Sequence, residues 1–245
     1  MDFGKLHDIS QVNFSLPPEP PQNREVLQNL PPTLSKPTVY IGATGYNMKQ
    51  WVGKWYPVGA KDKDFPRHYG QQFNTIEHNT THYRIPDAAT VARWRDEVPT
   101  DFRYCPKLPQ TISHARDLGF YSGQLREFCE NIAGLRDRLG PCFLQMPPYF
   151  AANQWRMLDT FFEKWPRHLP LAVEVRHESF FDGSAAADAF FQMLAGWNVS
   201  TVVTDVAGRR DVCHMRLTSG QVLVRFVGNG LHETDYSRIR AWSGR

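Results

Sequence analysis

Short runs of β-branched and aromatic residues alternate along the chain with segments whose apolar positions recur every three or four residues. The runs are "TVYIGATG", "FNTIEHN", "FRYCPKL", "PCFLQMP", "LAVEVRH", "STVVTDV" and "VLVRFVG", and each predicts a strand. Between them, "DFPRHYGQQF", "AATVARWRDEV", "YSGQLREFCENIAGLRDRL", "NQWRMLDTFFEKW" and "SAAADAFFQMLAGW" predict helices, with "TDYSRIRAW" after the last strand. In the fourth helical segment Trp155, Leu158, Phe161, Phe162 and Trp165 form one apolar stripe to lay against a sheet. Strand–helix alternation of this kind predicts parallel strands with helices outside, a TIM-type (β/α) barrel. Seven strands are counted and the sequence stops at Arg245, so the barrel is expected to lack its last βα unit and the chain to be a fragment of a longer one.

The first 36 residues break the pattern. "LPPEPPQNREVLQNLPP" fixes φ and removes backbone donors at each proline, which predicts a Pro-rich arm over residues 1–36 ahead of a barrel domain over 37–245. The arm reads equally as a docked wrapping segment and as a poorly ordered tail. With 245 residues, 41% of them hydrophobic and 22% charged, the chain can bury one sizeable core. Its longest apolar runs, such as "LAVEV", are too short for a transmembrane helix, and "MDFGKLHDIS" does not read as a secretory signal. A net charge of +3 with dispersed Lys and Arg gives no basic stripe for nucleic acid. Cys105, Cys129, Cys142 and Cys213 lack CxxC spacing and read as reduced core residues of a cytoplasmic protein.

Candidate chemistry sits late in the strands. Alternate residues of a strand face opposite ways, so Thr75, Glu77 and Asn79 oppose Ile76 and His78. Glu174 and Arg176 likewise oppose Val173, Val175 and His177, and Asp205 shares a face with Val203 against Val202 and Thr204. On this parity Glu77, Glu174 and Asp205 are expected to point inward at comparable heights. Lys107, Gln145 and Arg225 are also late in their strands, which completes a ring with Asn79 and Arg176 at the strand ends where barrel active sites lie. The competing reading is a buried ion network that neutralises itself and fixes the mouth of the barrel.

His78 and His82 have the four-residue spacing of a metal pair, but along a strand that spacing spans roughly 13 Å, so His78 is expected to pack under a helix instead. His114, after the third strand, reads as a loop residue open to a pocket role. Trp51, Trp55 and Tyr56 could floor a substrate site or simply pack within their loop. "GATGYN" is not a dinucleotide fingerprint.

Several of these motifs occur together and in order: "IGATGYNMKQWVGKWYP", "FNTIEHNTTHYRIPDAATVARWRDEVPTDFRYCPKLPQTISH", "LGPCFLQMPPYF", "LAVEVRHESF" and "VRFVGNG". From about Thr38 onward the sequence resembles the YecE-like family, domain of unknown function 72. The resemblance implies a TIM-like barrel and carries Glu77, Asn79, Tyr83, Lys107, His114, Gln145, Pro147, Pro148, Glu174, Arg176 and His177 as matching positions. Arg225 matches the arginine of the family's Arg-Leu-His-Gly strand, with Val227 in place of its histidine. The family's pattern also runs on past Arg245 with a further strand. It implies no reaction, since no activity is established for the family.

The functional expectation is an enzyme, a hydrolase or lyase, acting on a small polar anionic or sugar-like substrate. Glu77, Glu174 and Asp205 are the catalytic candidates for acid/base work, and Asn79, Tyr83, Lys107, His114, Gln145, Arg176 and Arg225 the substrate-binding ones. No ligand-spacing motif selects a metal and no cofactor motif is present, although carboxylates with His114 also suit a hydrolase assisted by a divalent metal. A non-catalytic binding or scaffold module is the alternative from a different class.

Overall fold

The computed structural model describes residues 3–31 and 37–245. By internal contacts they form two compact units, one of residues 37–146 and 163–171, the other of residues 3–31, 147–162 and 172–245. A short helix in the arm, α1 (Asn23–Gln28), precedes the first strand, β1 (Gly42–Ala43). Then come α2 (Phe65–Gly70), β2 (Thr75–His78), α3 (Thr80–Tyr83), α4 (Ala88–Glu97), β3 (Arg103–Pro106), α5 (Gln110–Ser113), α6 (Gln124–Ile132) and β4 (Cys142–Gln145). The remaining elements are α7 (Arg156–Lys164), β5 (Leu171–Glu174), α8 (Ala185–Gly196), β6 (Ser200–Asp205), β7 (Leu223–Phe226) and α9 (Glu233–Ser243).

The strands of each unit are parallel. In the first unit β1 pairs with β2 and β2 with β3, setting Glu77 opposite Cys105 and His78 opposite Pro106. The ladder continues toward β4 through a parallel bridge between Lys107 and Phe143. In the second unit β5 pairs with β6 and β6 with β7, setting Thr204 opposite Arg225 and Asp205 opposite Phe226. The α/β class and the parallel order agree with the sequence pattern. Each predicted strand contains an observed one that is shorter than the run.

Local chemistry sets the boundaries. Asp87 caps α4 by accepting from the Thr90 N–H at 2.8 Å, and Ser184 caps α8 through Ala187 N–H. The expected long helix over 121–139 is divided: α6 ends at Ile132 and a 3₁₀ segment follows, with Arg136 at φ 52° breaking the helical path. At Gly42 the chains of β1 and β2 come so close that an added Cβ would lie 1.9 Å from the Thr75 carbonyl oxygen. The core is apolar on both sides of the strands, with Ile76, Tyr104, Phe143 and Leu144 in the first unit and Val173, Val203, Phe190 and Leu194 in the second all buried. The four cysteines are buried and unpaired.

The described part of the arm is docked. Asn23 is buried, its amide donating to Met215 O at 2.9 Å and accepting from Leu217 N–H at 2.8 Å. Leu16 packs with Trp242 against Val203, Cys213 and Met215. Prolines explain the extended path, and the single buried amide supplies an anchor that composition alone does not reveal.

Candidate functional site

In the first unit the polar residues gather at the C-terminal ends of adjacent strands. β2 stops at His78 because the chain turns into α3 at Thr80, where the single Thr81 hydroxyl proton is shared between His78 O at 2.9 Å and Lys107 O at 2.7 Å. Half-buried Glu77 accepts from Asn79 Nδ2 at 3.1 Å. On the next strand the Lys107 ammonium donates to Gln145 Oε1 at 2.9 Å, and Gln145 is buried. Of the binding candidates, then, Asn79 meets Glu77 and Lys107 meets Gln145.

His114 stands just after α5, its Nδ1 2.9 Å from Ser113 Oγ and its ring edge-on to His82 at 6.2 Å. His82 Nδ1 is held 2.9 Å from Leu108 O, and burial pulls its pKa below the ordinary value. Because His82 lies on α3, the strand spacing assumed for His78 and His82 does not apply; the turn at Thr80 replaces it. Tyr83 is 83% exposed. His78 does pack under a helix as expected: its ring lies 4.3 Å from that of Trp94 on α4 and 5.3 Å from that of Tyr104. Burial lowers its pKa to about 4, and neither ring nitrogen has a hydrogen-bond partner among the described residues.

In the second unit Glu174 is the hub. Its Oε1 accepts from Arg176 Nε at 3.3 Å, Thr204 Oγ1 at 3.1 Å and Arg225 Nη1 at 3.1 Å, and Arg225 Nη1 also reaches Oε2 at 3.1 Å. Glu174, Arg176 and Thr204 are all buried. Sequence parity assigned the inward face of β6 to Asp205, and here the structure corrects it. Thr204 shares the face of Glu174 and Arg225, while Asp205 turns the other way, to α9. There it accepts from Arg238 Nε at 3.3 Å and Trp242 Nε1 at 2.8 Å, and it pairs with Arg210. Parity fixes which residues of one strand share a face; it does not say which face is inside. Burial alone would raise the Asp205 pKa, but the hydrogen bonds from Arg238, Trp242 and Arg210 together outweigh it and hold the carboxyl below its usual range.

A cleft of about 780 Å³ lies at the opposite ends of the first unit's strands, lined by Trp55, Phe73, Asn74, Lys54 and Asp101 among others. It is far along the strands from Glu77 and Lys107, since Asn74 precedes β2 and Asp101 precedes β3. Trp51, Trp55 and Tyr56 pack there with Tyr69 and Phe73, Trp51 stacking on Trp55 at 5.4 Å, as loop packing predicts. Among the described residues no group of three His, Cys, Asp or Glu side chains converges as a metal ion would require, and no helix is long and apolar enough to cross a membrane.

Parallel strands flanked by helices, with charged and amide side chains at the C-terminal strand ends, define an α/β protein of the kind that builds sites on loops after strands. The particular family follows from sequence: a match to the family described as "Protein of unknown function DUF72" spans residues 40–245, and the chain belongs to that family. It is 31% identical over 223 residues to UPF0759 protein YecE of Escherichia coli K12, covering 83% of this chain and 79% of that one. It is 24% identical over 203 residues to UPF0759 protein YunF of Bacillus subtilis, covering 78% of this chain and 70% of that one. Crystal structures of DUF72 family proteins share the fold. One from Enterococcus faecalis superposes with a TM-score of 0.64 at 22% identity, covering 79% of this chain and 72% of that one. One from Thermotoga maritima gives 0.60 at 24%, covering 78% and 75%.

Proposed function

We propose that this DUF72 protein is an enzyme acting on a small anionic or sugar-like molecule at the C-terminal strand ends. The observation that carries the reading is the repeated placement of polar groups there: Glu77 and Asn79 after Ile76, Lys107 just beyond β3, Gln145 closing β4, Glu174 closing β5 and Arg225 late in β7. A sheet that needed only packing would end in apolar residues or turn formers, and burying charges costs several kcal/mol per ion before pairing offsets it, on the order of what a small site must repay.

In this reading Glu77 is the general acid/base, steered by Asn79. Lys107 and Gln145 contact the substrate's polar groups. In the second unit, taken by itself, Arg176 and Arg225 are the groups that would attract negative charge. Glu174 orients the two arginines, and Asp205 ties β6 to α9 in support of that arrangement. Tyr83 at the end of α3 and His114 just after α5 would face the ligand. One observation favours a second, non-catalytic reading: both oxygens of Glu174 are already engaged, as in a brace.

A metabolite library screened by thermal shift, with and without divalent metals, tests the reading on the full chain. The expected result is stabilisation by an anionic or sugar-like compound that is turned over by the unaltered protein and bound without turnover by Glu77→Gln. Turnover retained in that variant removes Glu77 from the chemistry. Binding without turnover by the unaltered protein favours the second reading.

A further inference from the structure

The arm reaches the same arginines. Phe3 lies over the Arg176 guanidinium, 4.3 Å from ring centroid to Cζ, and over Arg209 at 5.3 Å. Arg209 is itself fixed by Asp211 and by donating to Arg176 O at 2.8 Å. Further along the arm, Phe14 covers Arg210 at 5.3 Å and Arg238 at 4.7 Å. Two phenylalanines of one segment therefore lie over four arginines that flank the C-terminal ends of β5 and β6. Arg210 Nη2 beneath this cover is buried with no hydrogen-bond partner among the described residues. The arm precedes the family match, which begins at residue 40.

The two ends of the arm are held differently. Near α1 the buried Asn23 amide makes two hydrogen bonds to the strand-connecting loop, and Leu16 sits in a packed apolar cluster. The tip is exposed from Lys5 to Asp8, and Gly208 N–H donates to Gly4 O where the tip meets the end of β6. That contact depends on a missing side chain: a Cβ at Gly208 would lie 2.9 Å from Gly4 O and 3.1 Å from the Leu6 side chain. A root held by a buried amide and an apolar cluster, with a tip whose residues 5–8 are exposed and whose described contacts include the Phe3 stack and the Gly4–Gly208 bond, is the arrangement of a strap.

We infer that the tip of the N-terminal arm is a displaceable strap, and that Phe3 on Arg176 competes with a phosphate- or carboxylate-bearing ligand for that guanidinium. The inference rests on the anion-binding part of the proposed function. An aromatic face stacked on a guanidinium is attractive, so the closed strap is favoured until an anion makes stronger, charge-assisted hydrogen bonds to the same group. The apparent affinity for an anion is then reduced by the fraction of chains in which the strap is open.

Two readouts on the full-length protein test this: the rate at which phenylglyoxal labels Arg176, followed by mass spectrometry, and the binding of inorganic phosphate by titration calorimetry. Phe3→Ala removes the stacked ring, and Gly208→Ala pushes the tip away without altering any residue assigned to the site. Each is expected to speed labelling of Arg176 and to tighten phosphate binding about tenfold, or about 1.4 kcal/mol. Adding Arg176→Gln should abolish the gain. Unchanged labelling in both variants overturns the strap, as does weaker phosphate binding in Phe3→Ala, which would make Phe3 part of the site. Faster labelling with no phosphate binding in any form upholds the strap and overturns the anion reading. Binding that needs Arg176 but is equal in all strap variants upholds the anion reading and overturns the strap. Circular dichroism melts confirm that each variant is folded.

Discussion

His78 should make this protein acid-labile in a way that one substitution removes. Its ring is 2% exposed, enclosed by Tyr46, Trp94 and Tyr104, and its pKa falls from 6.5 to about 4 because burial penalises the cation. The unfolded chain therefore takes up the proton first as pH falls. Protonation of His78 costs nothing above about pH 6.5, and stability is lost progressively from there down to about pH 4. The full loss is on the order of 3 kcal/mol, and between pH 7.5 and 5.0 about 2 kcal/mol of it should appear. His78→Leu has a similar volume and cannot titrate; it also removes two buried nitrogens without partners, worth about 1–3 kcal/mol of stabilisation at neutral pH. Urea melts of both proteins at pH 7.5 and 5.0 isolate the effect, because His214, whose pKa is also lowered by burial, contributes equally to each. The variant should lose about 2 kcal/mol less than the unaltered protein across that interval. Equal losses in the two proteins would show that the ring is not held neutral in its aromatic enclosure.

Other substitutions probe the remaining contacts. Glu174→Gln leaves Arg176 and Arg225 without their shared carboxylate and should cost about 3–5 kcal/mol in urea melts; a cost below about 1 kcal/mol would show that the arginines find other partners at no penalty. Asn23→Ala removes both hydrogen bonds at the arm's root and should cost about 1–3 kcal/mol, with faster amide exchange at Leu217, whose N–H loses its acceptor. Gly42→Ala places a Cβ against Thr75 O and should abolish β1–β2 pairing, read as lost protection of the Asn74 amide, which donates to Ile41 O, and a fall in soluble yield.

The strands and their order were readable because each is a compact β-rich run between helical periods, and Trp94 and Tyr104 supply an obvious enclosure once His78 is placed on the face opposite Glu77. Three features were not. α3 lies in "TTHY", a stretch with no periodicity of its own, and its Thr81 hydroxyl reaches the carbonyls of His78 in β2 and of Lys107 just after β3. The docking of the arm depends on Asn23 meeting Met215 and Leu217, a pairing nearly two hundred residues apart in sequence. The direction of Asp205 depends on α9, since only the arrival of Arg238 and Trp242 decides which side of β6 accepts a charge. Local pattern gives faces in pairs, and the choice between them is made by tertiary partners.

The same contacts distinguish the surroundings of the three acids. A general base must present a lone pair to the substrate's proton within hydrogen-bond reach. Asp205 is fully enclosed, with Arg238, Trp242 and Arg210 around it, and its carboxyl ties β6 to α9. Glu174 spends both oxygens on two arginines and Thr204, so it can set the angle of the guanidinium groups but has little left to offer a reacting atom. Glu77 is half-buried at the end of β2, where Asn79 Nδ2 donates to its carboxylate at 3.1 Å. The proposed function assigns acid/base work to Glu77, and because Glu77 is only half-buried whereas Glu174 is fully buried between two arginines, Glu77→Gln should lose turnover with a smaller stability change than Glu174→Gln. The reverse order of stabilities would mean that Glu77 is the brace and Glu174 the working group.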